Sequence, residues 1–164
     1  LVFPDYDPNK NKGGVWKFFE DKPEREEQFG RAMWSLEALG GKAMAADVTF
    51  HRFSRFIDIG GSLGHFHYKV MANNPDATGV LFDRPQVLAN SKKLWFETGG
   101  MYNEGTQERL EMVEGDFFEA THIPDAQDGN VYILRYILHD WARRTASRLC
   151  STCVRNSRKK RQHS

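Results

Sequence analysis

The sequence has only two cysteines, no long apolar run and almost no net charge. Each shortage excludes something. Cys150 and Cys153 form a single Cys-x-x-Cys, whereas a structural zinc site takes four ligands and no second pair is spaced for it. A redox pair would follow a strand in a thioredoxin-like pattern, which is lacking. Both thiols therefore read as incidental, and no metal is expected. No stretch reaches the roughly 18 apolar residues of a membrane helix. Leu1-Val2-Phe3 runs directly into Pro4-Asp5-Tyr6-Asp7-Pro8, without the apolar segment of a secretory signal, and the first residue is not Met. The formal charge of +1 gives no global steering towards nucleic acid or a membrane surface. Cytoplasm is the expected compartment, and 164 residues suit one domain with a sizeable core.

What is present reads as alternating helices and strands. Pro4, Pro8, Gly13 and Gly14 mark an entry loop. From Val15 to about Leu39 the pattern is helical. Trp16 and Phe19 recur one turn apart before Pro23, and Phe29, Met33 and Leu36 line one face after it. Glu24, Glu26 and Glu27 suit the positive dipole end of a helix opened by Pro23, and Gly40-Gly41 is expected to end it. Strands are expected at 55–59, 78–82, 110–113 and 130–136, and helices at 64–73 and 85–96. Loops are expected at Gly99-Gly100, at Asn103-Glu104-Gly105 and from Asp116 to Asp128. This order is the opening of a parallel, doubly wound α/β sheet. Beyond Trp141 there are eight Arg or Lys, little hydrophobic periodicity and no strand signal, so 142–164 is expected to be a solvated, disordered tail rather than a nucleic-acid arm.

The chemistry-bearing residues fall at successive strand ends, where open α/β sheets bind ligands. Gly60, Gly61 and Gly64 form Gly-Gly-x-x-Gly after the first strand, not the Gly-x-Gly-x-x-Gly of a dinucleotide site. Asp58 precedes them, and a carboxylate there opposes a pyrophosphate but suits an amine-bearing ligand. Asp83 ends the second strand, 23 positions after Gly60, about where an acidic residue accepts both ribose hydroxyls. Asp116, in Glu-Gly-Asp-Phe-Phe after the third strand, can accept from an exocyclic adenine amine while Phe117 stacks on the ring. The apolar run 130–138 delivers His139 and Asp140 to the fourth strand's end, where a histidine is a candidate proton acceptor. Taken singly, each has a bland reading as a turn or cap; the coincidence at four ends favours an adenosine site. His65 and His67 lie two apart on a helix and do not share a face, so a shared metal is not expected.

Residues 13–141 resemble the small-molecule O-methyltransferases that use S-adenosyl-L-methionine, the group of caffeic acid and acetylserotonin O-methyltransferases. The matching segments are 16–33, 58–64, Phe82-Asp83-Arg84-Pro85, Glu114 to Phe118 and Leu138-His139-Asp140-Trp141. The resemblance implies a class I, Rossmann-like α/β fold and S-adenosyl-L-methionine as cofactor. It implies that Asp58, Gly60, Gly61, Asp83, Asp116 and Phe117 hold that cofactor, with Arg135 where many members have lysine. It implies that His139 is the catalytic base, and that Phe29, Met33 and Asp140 face the acceptor, a small aromatic hydroxyl compound. Full-length relatives are expected to be homodimers.

Departures from the family bear on activity. Ser62 and Leu63 replace the usual Gly-Thr, and Ser62 tolerates a positive φ less well than glycine. Arg84 stands where leucine is typical. The N-terminal helical dimerisation domain and the last strands of the family are not recognisable, and a shifted reading frame or retained intron is a reading of 142–164. The expected organisation is 1–41 as loop and helices flanking the acceptor pocket, 42–141 as an incomplete cofactor-binding domain and 142–164 as the basic tail. The fourth strand is then an edge presenting Val131, Ile133 and Ile137. The alternative function is a catalytically weak remnant that binds adenosyl ligands without turnover.

Overall fold

The structure, a computed structural model, describes residues 3–7, 14–97 and 104–158. Helices α1 (Gly14–Asp21) and α2 (Pro23–Ala45) precede strand β1 (Arg55–Ile59). Helix α3 (His65–Asn73), strand β2 (Thr78–Asp83), helix α4 (Pro85–Phe96), the short α5 (Glu104–Gln107), strands β3 (Leu110–Glu114) and β4 (Asn130–Ile133), and helix α6 (Arg143–Arg158) follow.

The strands form one parallel sheet in the order β3-β2-β1-β4. β1 lies inside the sheet, and Phe56 to Ile59 are all buried, as expected of a parallel strand covered on both faces. Alternation along β1 and β2 divides the core. Ile57, Ile59, Val80 and Phe82 face one layer, with Ile123, Ala126, Leu149 and Cys153. Phe56 faces the other, with Phe66, Val70 and Met71 of α3 and with Ala45. Pro85 opens α4, where its missing N–H costs nothing, and buried Trp95 near the helix end donates from Nε1 to the Leu63 carbonyl at 3.1 Å. Among the described residues no helix is long and apolar enough to cross a membrane.

The strands and α4 fall close to where the sequence places them. Four elements differ. First, α2 runs on through Gly40-Gly41 to Ala45, so the expected boundary at residue 41 cuts a helix. Each mid-helix glycine costs about 1 kcal/mol, while Gly41 is buried and Ala45 packs in the core layer with Phe56, Phe66 and Val70. Second, β4 stops at Ile133 instead of Tyr136, because the chain turns at Tyr136, whose φ is +58°. β4 is the edge strand as expected, yet Ile133 is 8% exposed, and Val131 and Ile137 pack against the two core layers, so its apolar side chains are covered. Glu104–Gln107 also form a helical turn where a loop is expected, and Gly99, Gly100 and Asn103 lie outside the described residues.

The fourth difference is the largest. Residues 143–158 are not a disordered tail but helix α6, and 159–164 lie outside the described residues. Leu149, Thr152, Cys153 and Asn156 are all buried, a 3- and 4-residue spacing that makes one helical stripe. Two of the four are polar, which hid the periodicity. Their groups are satisfied: Thr152 Oγ1 donates to the Arg148 carbonyl at 3.1 Å, and Asn156 Nδ2 to the Ile123 carbonyl at 3.2 Å. Burial also pushes the Cys153 thiol up to about 11, away from reactivity.

Leu149→Ala should therefore lower stability by about 2–4 kcal/mol in urea denaturation, the cost of a buried leucine cavity. Val154→Ala, on the exposed side of the same helix, should change it by less than about 0.5 kcal/mol. Equal, negligible effects would show that α6 is not docked.

Candidate functional site

The strand ends are tied together by the backbone before any ligand is considered. The N–H groups of Gly60 and Gly61 both donate to the Phe82 carbonyl, at 2.8 and 3.3 Å. The Gly115 N–H donates to the Asp83 carbonyl at 3.0 Å. Gly60 has φ +69°, and a Cβ there would overlap the Ile137 side chain, so a glycine is required at this turn. Ser62 also adopts a positive φ, +55°, which costs an L-residue roughly 1–2 kcal/mol. Its backbone is held there, since its N–H donates to Asp83 Oδ2 at 2.8 Å and its carbonyl accepts from Ser91 Oγ at 2.9 Å.

Above these ends lies a cavity of about 270 Å³. Every sequence-designated cofactor residue lines it: Asp58, Gly60, Gly61, Asp83, Asp116, Phe117 and Arg135. Phe29, Met33 and Asp140 line it as well. His139 does not. Its side chain is 65% exposed, and Nε2 lies 3.2 Å from Asp140 Oδ1. The neighbours Ile137, Asp140 and Trp141 do face the cavity, so the backbone brings His139 to the rim while its ring is turned outward.

Electrostatically the cavity is acidic. Glu20, Glu26, Glu27, Asp58, Asp83, Asp116 and Asp140 line it against the guanidinium groups of Arg84 and Arg135. Burial raises the Asp58 carboxyl to about 7, with the Asp83 charge adding to the shift. Asp83 is raised by burial too, opposed by the Arg84 and Ser62 N–H groups it accepts from and by the Arg84 charge. Both its oxygens hold a backbone donor, at 2.8 Å each, and each retains a lone pair for a further donor. The Arg135 guanidinium lies over the Phe66 and Tyr136 rings, at 4.6 and 4.3 Å.

One wall is aromatic. Trp16 stacks on Trp141 at 6.2 Å and meets Phe29 edge-on at 5.8 Å, and Phe118 meets Trp141 edge-on at 4.5 Å. This wall has room and chemistry for a flat apolar group beside the polar strand ends. Among the described residues no group of His, Cys, Asp and Glu could hold a metal ion.

The sequence reading missed two features. Glu26 looks like an ordinary first-turn acid of α2, yet it is 7% exposed and ion-paired with Arg84 Nη2. Arg84 Nη1 also lies 3.7 Å from Glu20 Oε1, and its guanidinium sits over the Trp16 ring at 5.8 Å. Arg84 thus clasps α1 and α2 onto the sheet; its departure from leucine was the available signal. The second is Trp16, legible only as one helix face.

A family model described as an O-methyltransferase domain matches residues 8–161. The match continues through α6, against the expectation that nothing after Trp141 belongs with the rest. The chain is 33% identical over 131 residues to a mitomycin biosynthesis 6-O-methyltransferase of Streptomyces lavendulae, covering 80% of this chain and 35% of that protein. It is 35% identical over 134 residues to an 8-amino-8-demethylriboflavin N,N-dimethyltransferase of Streptomyces davaonensis, covering 80% and 36%. The solved structure of a mitomycin 7-O-methyltransferase superposes with a TM-score of 0.75 at 31% identity, covering 87% of this chain and 39% of that one. The chain thus spans little more than a third of the length of the curated relatives it matches.

The Arg84 clasp has a measurable signature. Burial raises the Glu26 carboxyl, with the Arg84 charge opposing the rise. Arg84→Leu removes that opposition, so the carboxyl should rise further and its ionised form should cost stability. The loss should be about 1–2 kcal/mol at pH 8, below the value for a fully buried pair because Arg84 is a quarter exposed. It should shrink towards pH 5, where the carboxyl binds a proton in the folded state more readily than in the unfolded one. Urea denaturation at both pH values checks this, and a pH-independent deficit would contradict it.

Proposed function

This chain belongs to the O-methyltransferase domain family, and from that premise we propose that its cavity brings S-adenosyl-L-methionine and a small aromatic hydroxyl compound together for methyl transfer to oxygen, in the cytoplasm. The observation that carries the reading is the convergence of Asp58, Asp83, Asp116 and Phe117, from three separate strand ends, on one cavity with an aromatic wall.

The donor set fits the cofactor. Asp83 keeps acceptor capacity for ribose hydroxyls, Asp116 and Phe117 offer an acceptor and a ring face to adenine, and Asp58 offers a carboxylate to the amino-acid ammonium. The excess of carboxylates over guanidinium groups favours a ligand of positive charge. When bound, the cofactor supplies a sulfonium methyl that is already electrophilic.

The protein's task is then chiefly alignment. Well-oriented reactions reach effective molarities of about 10⁵–10⁸ M, the largest contribution available here. Trp16, Phe29, Met33, Phe118 and Trp141 would hold a flat acceptor and exclude water. His139 would take the acceptor's proton after its ring turns from Asp140 towards the cavity. A phenol near pKa 10 facing an imidazole near 6.5 makes prior deprotonation uphill by about 5 kcal/mol, so proton removal accompanies transfer. The acceptor's identity rests on the aromatic wall and on the acceptors named for the relatives, one of which is an amine.

Calorimetry with S-adenosylhomocysteine, followed by a labelled methyl-transfer assay on phenolic acceptors, tests the proposal. One site per chain and measurable turnover are expected; binding without turnover would leave only the adenosyl-binding reading. His139→Ala should keep S-adenosylhomocysteine affinity and lose about 10²–10⁴-fold in turnover. A loss under threefold would remove the base role, and a parallel loss of affinity would make the residue structural.

A further inference from the structure

His67 is fully enclosed, at 0% exposure, and neither ring nitrogen has a hydrogen-bond partner. Buried polar groups are nearly always satisfied, so this ring calls for a physical reason. Its surroundings limit what it can meet. At Gly79 of β2 even a Cβ would overlap His67 Nε2 and Met71 Sδ, so the ring fills the space between α3 and the sheet. Nδ1 lies 3.7 Å from Asp58 Oδ2, the carboxylate that lines the cavity from β1. That gap exceeds a hydrogen bond by roughly 0.8 Å, a distance a modest side-chain rotation closes.

We infer that His67 is a positioning residue for cofactor binding: its Nδ1–H donates to Asp58 and holds that carboxylate ionised and oriented for the ligand's ammonium. This rests on the reading of Asp58 as the ammonium contact. Without a donor, Asp58 is disfavoured as an anion, since burial and the Asp83 charge bring its titration to about 7. Burial lowers His67 to about 3, so the ring is a neutral donor and not a cation across the working range.

Other charged groups surround the pair. Asp83 and Arg84 stand at the end of β2, and Glu26 and Glu27 line the cavity from α2. His65 and Lys69 share α3 with His67, and Arg135 lies over Phe66. Arg109 donates to the Met71 carbonyl at the end of α3. Of these, Asp83 acts on Asp58 directly.

The test is S-adenosylhomocysteine affinity by calorimetry from pH 6 to 9. In the wild type, affinity should hold as pH drops through about 7, because the ammonium requires an ionised Asp58 and the His67 donor keeps it ionised below the point where burial and the Asp83 charge alone would protonate it. His67→Leu fills the space without a donor. Its affinity should instead fall as pH drops through about 7, to about fivefold below wild type at pH 6 for one unit of carboxyl shift, and match the wild type at pH 9. His67→Asn, whose side-chain N–H sits where Nδ1 does, should restore the wild-type profile. Uniform weakening at every pH, no change in His67→Leu, or no rescue by His67→Asn would overturn the inference. Should the leucine variant fail to fold, nitrogen-15 NMR of the wild-type ring decides. A protonated, hydrogen-bonded Nδ1 in the loaded protein is expected, and a bare Nδ1 would overturn it. A wild type that binds no S-adenosylhomocysteine at any pH would instead sink the cofactor reading beneath it.

Discussion

The paired donation of the Gly60 and Gly61 N–H groups to the Phe82 carbonyl governs the geometry of everything above the sheet. It ends β1 and β2 at the same level, so that the side chains of Asp58 and Asp83 open onto one space. The parallel register continues the level sideways: Asp58 pairs with Ile133 of β4, and Asp83 with Glu114 of β3. The Gly115 N–H repeats the arrangement by donating to the Asp83 carbonyl, placing Asp116 one residue further on. A ligand is thus met by side chains separated by tens of residues in sequence but by a single row of strand ends in space. Loops at the other end of the sheet would have no such common level.

That row is only as firm as the layers that cover the sheet. On one side α3 packs Phe66, Val70 and Met71 against Phe56. On the other, Ile123 and Ala126 of the long β3–β4 connection sit with Leu149 and Cys153 of α6 over Ile57, Ile59, Val80 and Phe82. The second layer matters most for the site, because the same connection carries Phe117 and Phe118 to the cavity. Asn156 of α6 donates to the Ile123 carbonyl, and Tyr132 Oη donates to the Pro124 carbonyl, so the connection is anchored to both α6 and β4. A segment with little regular structure is thereby held by its neighbours.

How much of this was legible in the sequence depended on whether the signal was local. β1, β2 and α4 announce themselves through apolar runs bounded by Gly, Asn and Pro, and the cavity-lining residues follow from where those strands stop. β4 is shorter than the apolar run that contains it, because such a run does not reveal a turn whose φ turns positive at Tyr136. α2 outran its glycines because what sustains it is contact with distant residues. α6 is hidden in the sequence because half its buried stripe is Thr152 and Asn156, polar groups whose satisfaction by carbonyls is a three-dimensional fact. The same limit applies in the site. Spacing brings His139 to the rim, but the ring's direction is a side-chain rotamer, and the Arg84–Glu26 pair joins positions 58 residues apart. Sequence motifs fix backbone placement here; they do not fix which way a side chain turns.

The charge pattern connects these features to turnover. On the proposed reading, the ligand arrives with a sulfonium charge and leaves without it, while the cavity walls keep the same carboxylates. An acidic, partly enclosed site attracts the charged form more than the neutral product, so the electrostatics that favour capture weaken as the methyl departs. Too much negative charge would work against folding, since buried carboxylates protonate or repel one another. Two are restrained differently: Asp83 by two backbone N–H groups and Glu26 by Arg84. Asp58 has the least help, with a histidine ring 3.7 Å away and a titration near 7, so it is the wall group whose charge responds most to whatever enters. If His139 swings inward to accept a proton, Asp140 loses its neighbour. On that reading the proposed base and a wall carboxylate are adjacent residues, so motion of one alters the surroundings of the other.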